Sequence, residues 1–395
     1  MKKILAFSAC LLIGSSLLLS QKNKLTVSFI DQQLRSAATQ YKTLMKQLPD
    51  DVFPRSYDSA SGRLITSNSS WWCSGFYPGT LLYLYEYSKD DTLKAEAIRR
   101  LGSLEKEQYN KTTHDLGFMM YCSFGNAYRL WQDSTNRNIL ITSARSLASR
   151  FSIATNTIRS WNFGDWKYPV IIDNMMNLEL LTWAAVASND SSLRKIAIAH
   201  ATTTLENHFR NNFSSWHLVD YDPETGHAIK KQTVQGAADN SAWARGQGWA
   251  LYGFTTMFRE TGIRQYLQQA RSIAGFILQR LPKDKIPYWD FDAPGIPNAL
   301  RDASAAAVMA SAFIELSGFV TKKKEKKEYL TVAASMLRVL ASPEYSLHNG
   351  QEGGFILKHS VGNLPADSEI DVPLSYADYY YIEALLRYRK IKFQL

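Results

Sequence analysis

The strongest constraint on the fold is an alternation between two kinds of helical segment that runs through the whole chain. One kind carries a single apolar stripe. Leu140, Ala144, Leu147, Ala148 and Phe151 recur at i, i+4, i+7, i+8 and i+11, and Tyr329, Ala333, Met336, Leu337 and Leu340 repeat that spacing. Residues so spaced share one face of a 3.6-residue helix, so one side packs inward and the other meets water. Comparable stretches occupy 27–48, 92–109, 191–209 and 265–281, which makes six. The other kind is apolar on nearly every side: 75–87, 117–131, 173–187, 244–261, 302–316 and 376–388. In 302–316 the only charged residues are Asp302 and Glu315. A helix apolar all round is buried all round. Six surface helices alternating with six buried ones predict repeated helical hairpins. Closing them into a ring gives an all-α (α/α)6 toroid of six helical hairpins.

Strand-like runs are too few for an α/β protein. The clearest are 216–221 and 227–233, joined by Asp222-Pro223-Glu224-Thr225-Gly226, and they predict a small β-hairpin insertion. With 45% hydrophobic and 12% aromatic residues the chain has ample material for a core, which excludes disorder. The helix alternation spans one catalytic-size unit, 22–395. Residues 1–21 read as a secretory signal: Lys2 and Lys3 precede the apolar run Ile4 to Leu19, which Gly14, Ser15 and Ser16 break. That run is too short and interrupted for a membrane span, so a periplasmic location is expected. Cys10 is a poor lipid-attachment site, because Phe7 stands where a lipobox has Leu.

The formal net charge of +9 suits an anionic partner, but it is spread along the chain. The one dense run, Lys322, Lys323, Lys324, Lys326 and Lys327, is broken by Glu325 and reads as a solvated helix start. No basic-aromatic interleaving points to nucleic acid. Cys73 and Cys122 make no disulfide framework and have no zinc-ligand spacing nearby, so no metal or cofactor is expected. Oligomeric state is not written in these patterns.

Antiparallel hairpins would put all six inner N-termini at one end of the ring. Trp72 and Gly75, His114 and Asp115, Asp173 and Asn174, Trp243 and Arg245, Arg301 and Asp302, Tyr376 and Asp378 would then share a rim. Helix capping accounts for Asp302 and Asp378. It does not account for His114, Arg245 and Trp249, so a cleft of convergent polar groups is expected there.

The stretches Trp72-Cys-Ser-Gly-Phe-Tyr77, His114-Asp-Leu-Gly-Phe118, Ile172-Asp-Asn-Met-Met-Asn177 and Trp243-Ala-Arg-Gly-Gln-Gly-Trp249 resemble the unsaturated glucuronyl hydrolases, glycoside hydrolase family 88. So do Pro287-Tyr-Trp-Asp-Phe291, Arg301-Asp-Ala-Ser-Ala305 and Ala377-Asp-Tyr-Tyr-Tyr381, all in the same order. The resemblance implies an (α/α)6 barrel in which Asp173 is the general acid/base and Asp115 the second essential carboxylate. It implies that Trp72, His114, His217, Gln235, Arg245 and Trp249 bind the substrate, an acidic oligosaccharide ending in a 4,5-unsaturated uronate. Such a substrate is an enol ether. Protonation at C4 creates oxocarbenium-like charge at C5, water traps it, and the hemiketal expels the aglycone. An aspartic acid doing this needs a raised pKa, from burial or from a like charge such as Asp115. Arg245 would grip the substrate carboxylate with two hydrogen bonds.

Two alternatives share parts of this reading. One is an unsaturated rhamnogalacturonyl hydrolase acting on pectin fragments, and the other is a non-catalytic acidic-oligosaccharide-binding protein. The chain departs from the family pattern at Cys73 and Tyr77, where Thr and Trp are common, a change expected to reshape the aromatic wall. In the loop 359–375, Asp367, Glu369 and Asp371 are expected to disfavour highly sulfated aglycones.

Overall fold

The computed structural model describes residues 25–394, so the expected signal segment and Cys10 lie outside the described residues. Helix α1 (Val27–Gln47) is followed by strands β1 (Phe53–Asp58) and β2 (Arg63–Ser67), then α2 (Phe76–Ser88) and α3 (Asp91–Leu104). A π-helical segment at Gly117–Gly125 runs into α4 (Asn126–Trp131), and α5 (Ser134–Ala148) follows. Short strands β3 (Phe151–Ser152), β4 (Thr157–Ile158) and β5 (Pro169–Ile171) lead to a 3-10 turn at Ile172–Asn177, then α6 (Leu178–Ser188) and α7 (Ser191–Asn207). Next come β6 (Leu218–Tyr221), β7 (Ala228–Gln232), α8 (Ala244–Thr261), α9 (Arg264–Arg280), α10 (Ala303–Leu316) and α11 (Lys323–Leu340). The chain ends with β8 (Ser360–Asn363), β9 (Ser368–Val372) and α12 (Ser375–Phe393).

The inner ring is α2, the π segment with α4, α6, α8, α10 and α12. Each touches the next, and α12 closes against α2, which makes the expected (α/α)6 toroid. Every residue of α10 except Glu315 is buried. On the outer α11 only one stripe is, from Tyr329 to Leu340, and Lys322 to Lys324 are solvated as expected. Burial thus sorts the helices into the two layers that their patterning predicts.

Connection lengths set the two mouths apart. Several turns from an inner to the next outer helix are only two residues long: Lys89-Asp90, Gln132-Asp133 and Asn189-Asp190. In each the first residue is left-handed, and the aspartate then caps the following helix, Asp133 for instance accepting from Asn136 N–H at 2.8 Å. Such short links force antiparallel neighbours. The return connections, from outer to inner helices, are long and carry every strand among the described residues. Chain available for building a site therefore collects at the mouth where the inner N-termini lie.

Three local expectations are revised. The hairpin forms, with Leu218 opposite Gln232, but β5 joins it as a third strand. The segment 117–131 opens as a π-helix. Its Phe118 and Met119 carbonyls come so near Gly75 that a Cβ there would sit 2.4 and 2.1 Å from them. Asp173 lies in the 3-10 turn ahead of α6, not at an α-helical N-cap.

Candidate active site

Sheet register brings Asp173 to His217. Ile171 pairs with Leu218, and Ile172 N–H donates to the His217 carbonyl at 2.9 Å. The next side chains then meet, with His217 Nε2 3.7 Å from Asp173 Oδ2. On its other nitrogen, His217 Nδ1 accepts from Val234 N–H at 3.0 Å and Gln235 N–H at 3.3 Å. An acceptor at Nδ1 fixes the tautomer, so the ring proton sits on Nε2 and faces the carboxyl. Burial, with Arg245 and His114 adding to it, pushes the imidazole pKa down to about 3, so His217 is neutral.

His114 and Asp115 enter from the connection ahead of the π-helix. His114 Nε2 lies 3.2 Å from Asp115 Oδ1, and Thr113 Oγ1 donates to Asp115 Oδ2 at 2.8 Å. Burial lowers the His114 pKa against the opposing pull of Asp115. The Asp173 turn is locked to this segment through Asn177, whose Oδ1 accepts Phe118 N–H at 3.0 Å. The fit is close: a Cβ on Gly117 would sit 2.4 Å from the Asn177 Cα.

Asp173 itself is 8% exposed, and its Oδ2 has no hydrogen-bond partner among the described residues. Burial raises its pKa to about 7, with Arg245 pulling down and Asp115 pushing up. Desolvation, more than the like charge of Asp115, therefore keeps a large protonated fraction of this carboxyl at neutral pH. Both aspartates thus share one electrostatic neighbourhood.

Arg245 departs from expectation. Its Nη1 donates to Asp302 Oδ2 at 3.0 Å and to the Val361 carbonyl at 2.5 Å, and its Nη2 donates to the Gly362 carbonyl at 2.6 Å. Both terminal nitrogens are spent on the protein, and the side chain is buried against the Trp243 and Tyr376 rings. Arg245 braces the β8–β9 hairpin from behind instead of standing free as a carboxylate clamp. Gln235 reaches the same hairpin, donating to the Gly362 carbonyl at 3.2 Å.

Trp249 is also fully buried, 5.1 Å from the Phe118 ring and 5.3 Å from Tyr380. It floors the site beneath Asp173. Trp72 remains partly open and packs on Tyr376 at 4.9 Å. Tyr77 does not reach the expected aromatic wall. It stacks on Tyr41 at 5.7 Å and its hydroxyl donates to Glu96 at 3.2 Å, so its identity leaves the wall unchanged.

Capping explains half of Asp302. Its Oδ1 accepts from Ser304 N–H at 2.9 Å, but its Oδ2 is the partner of Arg245. Asp378 caps nothing: it accepts from Ile356 and Leu357 N–H groups and anchors the preceding loop. Of the loop acids, Glu369 is paired with Arg55 at 2.9 Å, which offsets its charge, and Asp371 contacts the His359 imidazole at 2.7 Å. Among the described residues no group of three His, Cys, Asp or Glu could hold a metal ion, and no helix is long and apolar enough to cross a membrane.

Residues 44–382 match the model of Glycosyl Hydrolase Family 88. The chain is 41% identical over 376 residues to an unsaturated glucuronyl hydrolase of Formosa agariphila, covering 93% of this chain and 92% of the relative. It is 32% identical over 367 residues to an unsaturated chondroitin disaccharide hydrolase of Streptococcus pyogenes, covering 91% of each. Among solved structures it resembles an unsaturated glucuronyl hydrolase specific for heparin, with TM-score 0.90, 44% identity, and coverage of 93% of this chain and 99% of that one.

Proposed function

The chain belongs to glycosyl hydrolase family 88, and on that premise we propose that it removes a 4,5-unsaturated glucuronic acid from the non-reducing end of lyase-generated, glycosaminoglycan-type oligosaccharides. The observation that carries this reading is the Asp173 carboxyl, buried, with one oxygen unbonded and a pKa near neutrality.

In the protonated form Asp173 hands its proton to C4 of the enol ether. Positive charge then develops at C5 and on the ring oxygen, and water adds at C5 while its proton returns to the Asp173 carboxylate. The hemiketal opens and the aglycone leaves. His217, neutral and with its Nε2–H facing the Asp173 carboxyl at 3.7 Å, offers a dipole that stabilises the carboxylate formed after the proton departs. Asp115, held by Thr113 and His114, keeps a negative charge close to the developing oxocarbenium ion. Trp72 supplies an open ring face for the sugar.

The similar proteins include a glucuronyl hydrolase specific for heparin and an unsaturated chondroitin disaccharide hydrolase. Pairing of Glu369 with Arg55 removes one source of repulsion and supports acceptance of sulfated aglycones. The test is to incubate the protein with sulfated and unsulfated unsaturated disaccharides and follow loss of the conjugated double bond's ultraviolet absorbance. A saturated glucuronide runs in parallel. Loss of absorbance with an inert saturated substrate is expected; hydrolysis of the saturated one with no change in the unsaturated ones overturns the proposal. Export to the periplasm completes the reading, resting on Lys2, Lys3 and the apolar run that follows, and is checked by cell fractionation.

A further inference from the structure

At the opposite mouth of the toroid, away from Asp173, a cavity of about 770 Å³ lies among the inner helices and reaches inward to Gly117 and Met176. Its size falls within the span of small-molecule sites. A layer of rings separates it from the aspartate site: Tyr380 sits 5.3 Å from Trp249 on one side and 5.6 Å from Tyr252 on the other. Tyr83, Tyr121, Trp183, Tyr252 and Tyr379 contribute aromatic surface to the cavity.

Between these rings runs an ion-pair network. Arg259 pairs with Glu179, Glu260 and Glu315, and Arg387 pairs with Glu315 at 2.5 Å and Glu383 at 3.3 Å. Glu383 also accepts from Tyr83 at 3.1 Å and from Ser311 at 2.6 Å. Such a network is an expensive way to close a barrel, since well-packed apolar residues of the same volume are often as stable or more so. What it does supply is a set of rigid, planar donors and acceptors around an open volume. Glu179, whose Oε1 accepts from Arg259, and Tyr121 both line that volume and face an occupant.

The charges also narrow the chemistry of that occupant. Each lining arginine already has a carboxylate partner: Arg129 with Glu86, Arg389 with Asp31, and Arg259 and Arg387 as above. Lys390, solvent-exposed, is the one lining cation outside these pairs among the described residues, so little net attraction is left for an anion, and a cationic occupant would have to displace an arginine. A neutral ring bearing many hydroxyls meets both demands, with apolar faces against tyrosine and tryptophan and hydroxyls toward the fixed charges. We propose that this cavity is a second saccharide site, selective for a neutral pyranose such as a hexose or N-acetylhexosamine, and distinct from the aspartate site.

The experiment uses the full chain carrying Asp173→Asn, saturated with unsaturated disaccharide so that the aspartate site is filled. Glucose, N-acetylglucosamine and cellobiose are then titrated by calorimetry and by saturation-transfer NMR. Saturable binding of at least one of them is expected. Adding Trp183→Ala should weaken it at least about tenfold, and Tyr121→Phe, which removes one hydroxyl and leaves the packing, about threefold. In the otherwise wild-type chain both changes should leave kcat/KM for the disaccharide unaltered. Absence of saturable binding, or binding that neither substitution weakens, overturns the proposal, as does capture of sulfated sugars in place of neutral ones. Should Trp183→Ala fail to fold, Tyr121→Phe decides the matter alone.

Discussion

Replacing Asp173 by Asn should abolish chemistry and stabilise the fold, in a pH-dependent way that can be worked from the structure. Burial places the carboxyl pKa at about 7 against an ordinary 3.8. A carboxyl raised by folding contributes its full stability below the unfolded pKa and loses it as pH rises through the folded one. At about pH 8 the ionised group therefore costs the wild type about 4 kcal/mol, and at about pH 5 about 2 kcal/mol, taking 1.36 kcal/mol per unit. Asn is neutral throughout and close in shape, so it escapes that term. The melting temperature of Asp173→Asn should lie above wild type, and the gap should widen by roughly 2–4 °C between about pH 5 and about pH 8 for a chain of this size. Turnover followed by ultraviolet absorbance should fall by about 10²–10⁴, the usual worth of a general acid. In the wild type, kcat/KM should decline as pH rises through about 7, because the acid form is the active one. A melting gap that is flat with pH refutes the burial argument, and wild-type turnover in the variant refutes the acid assignment.

Gly117→Ala should lower stability by about 1–3 kcal/mol and reduce turnover, because the new Cβ collides with the Asn177 backbone and shifts the Asp173 turn; denaturant melts and kcat measure the two effects. Arg245→Lys keeps the charge and loses the fork, so one of the Val361 or Gly362 carbonyls goes unpaired, costing about 1–3 kcal/mol. Arg245→Met removes the charge as well and should move the alkaline limb of the activity profile upward, whereas the Lys variant should not. His217→Ala leaves the Val234 and Gln235 N–H groups without their acceptor and should lower kcat/KM by roughly tenfold or more, about 1.4 kcal/mol per decade.

The layering of helices could be read from the sequence because it is a statement about periodicity, and periodicity is local. An all-round apolar segment has no stripe, so 117–131 offered nothing to distinguish an i→i+5 ladder from an i→i+4 one, and the π-helix went unseen. The same holds for the 3-10 turn that carries Asp173. Asp115 and Asp173 stand in motifs and His217 comes with the family resemblance, but the meeting of Asp173 with His217 depends on the register of β5 with β6, set by residues about fifty positions apart. The setting of Arg245 is hidden for a related reason. Its partners are two backbone carbonyls of the β8–β9 hairpin, and a carbonyl leaves no trace in a side-chain motif. Asp378 shows the converse: an acid near a helix start need not cap it when a distant loop offers N–H groups.

A buried acid that stays near half protonation at neutral pH needs two opposed influences, and the toroid supplies them from different hairpins. Desolvation alone would carry the Asp173 pKa higher, and Asp115 adds to it. Arg245 offsets this with a positive charge that is itself fully buried and so must be fixed by something else. Asp302 does that fixing, and it can do so because its other oxygen is already committed to capping α10. The cap orients the carboxylate, the carboxylate orients the guanidinium, and the guanidinium trims the acid. Neither a lone pair of carboxylates nor a lone arginine would hold that balance. The closed ring brings the starts of α8 and α10 to the same mouth as the Asp173 turn, so the geometry that buries the acid also delivers its counterweight.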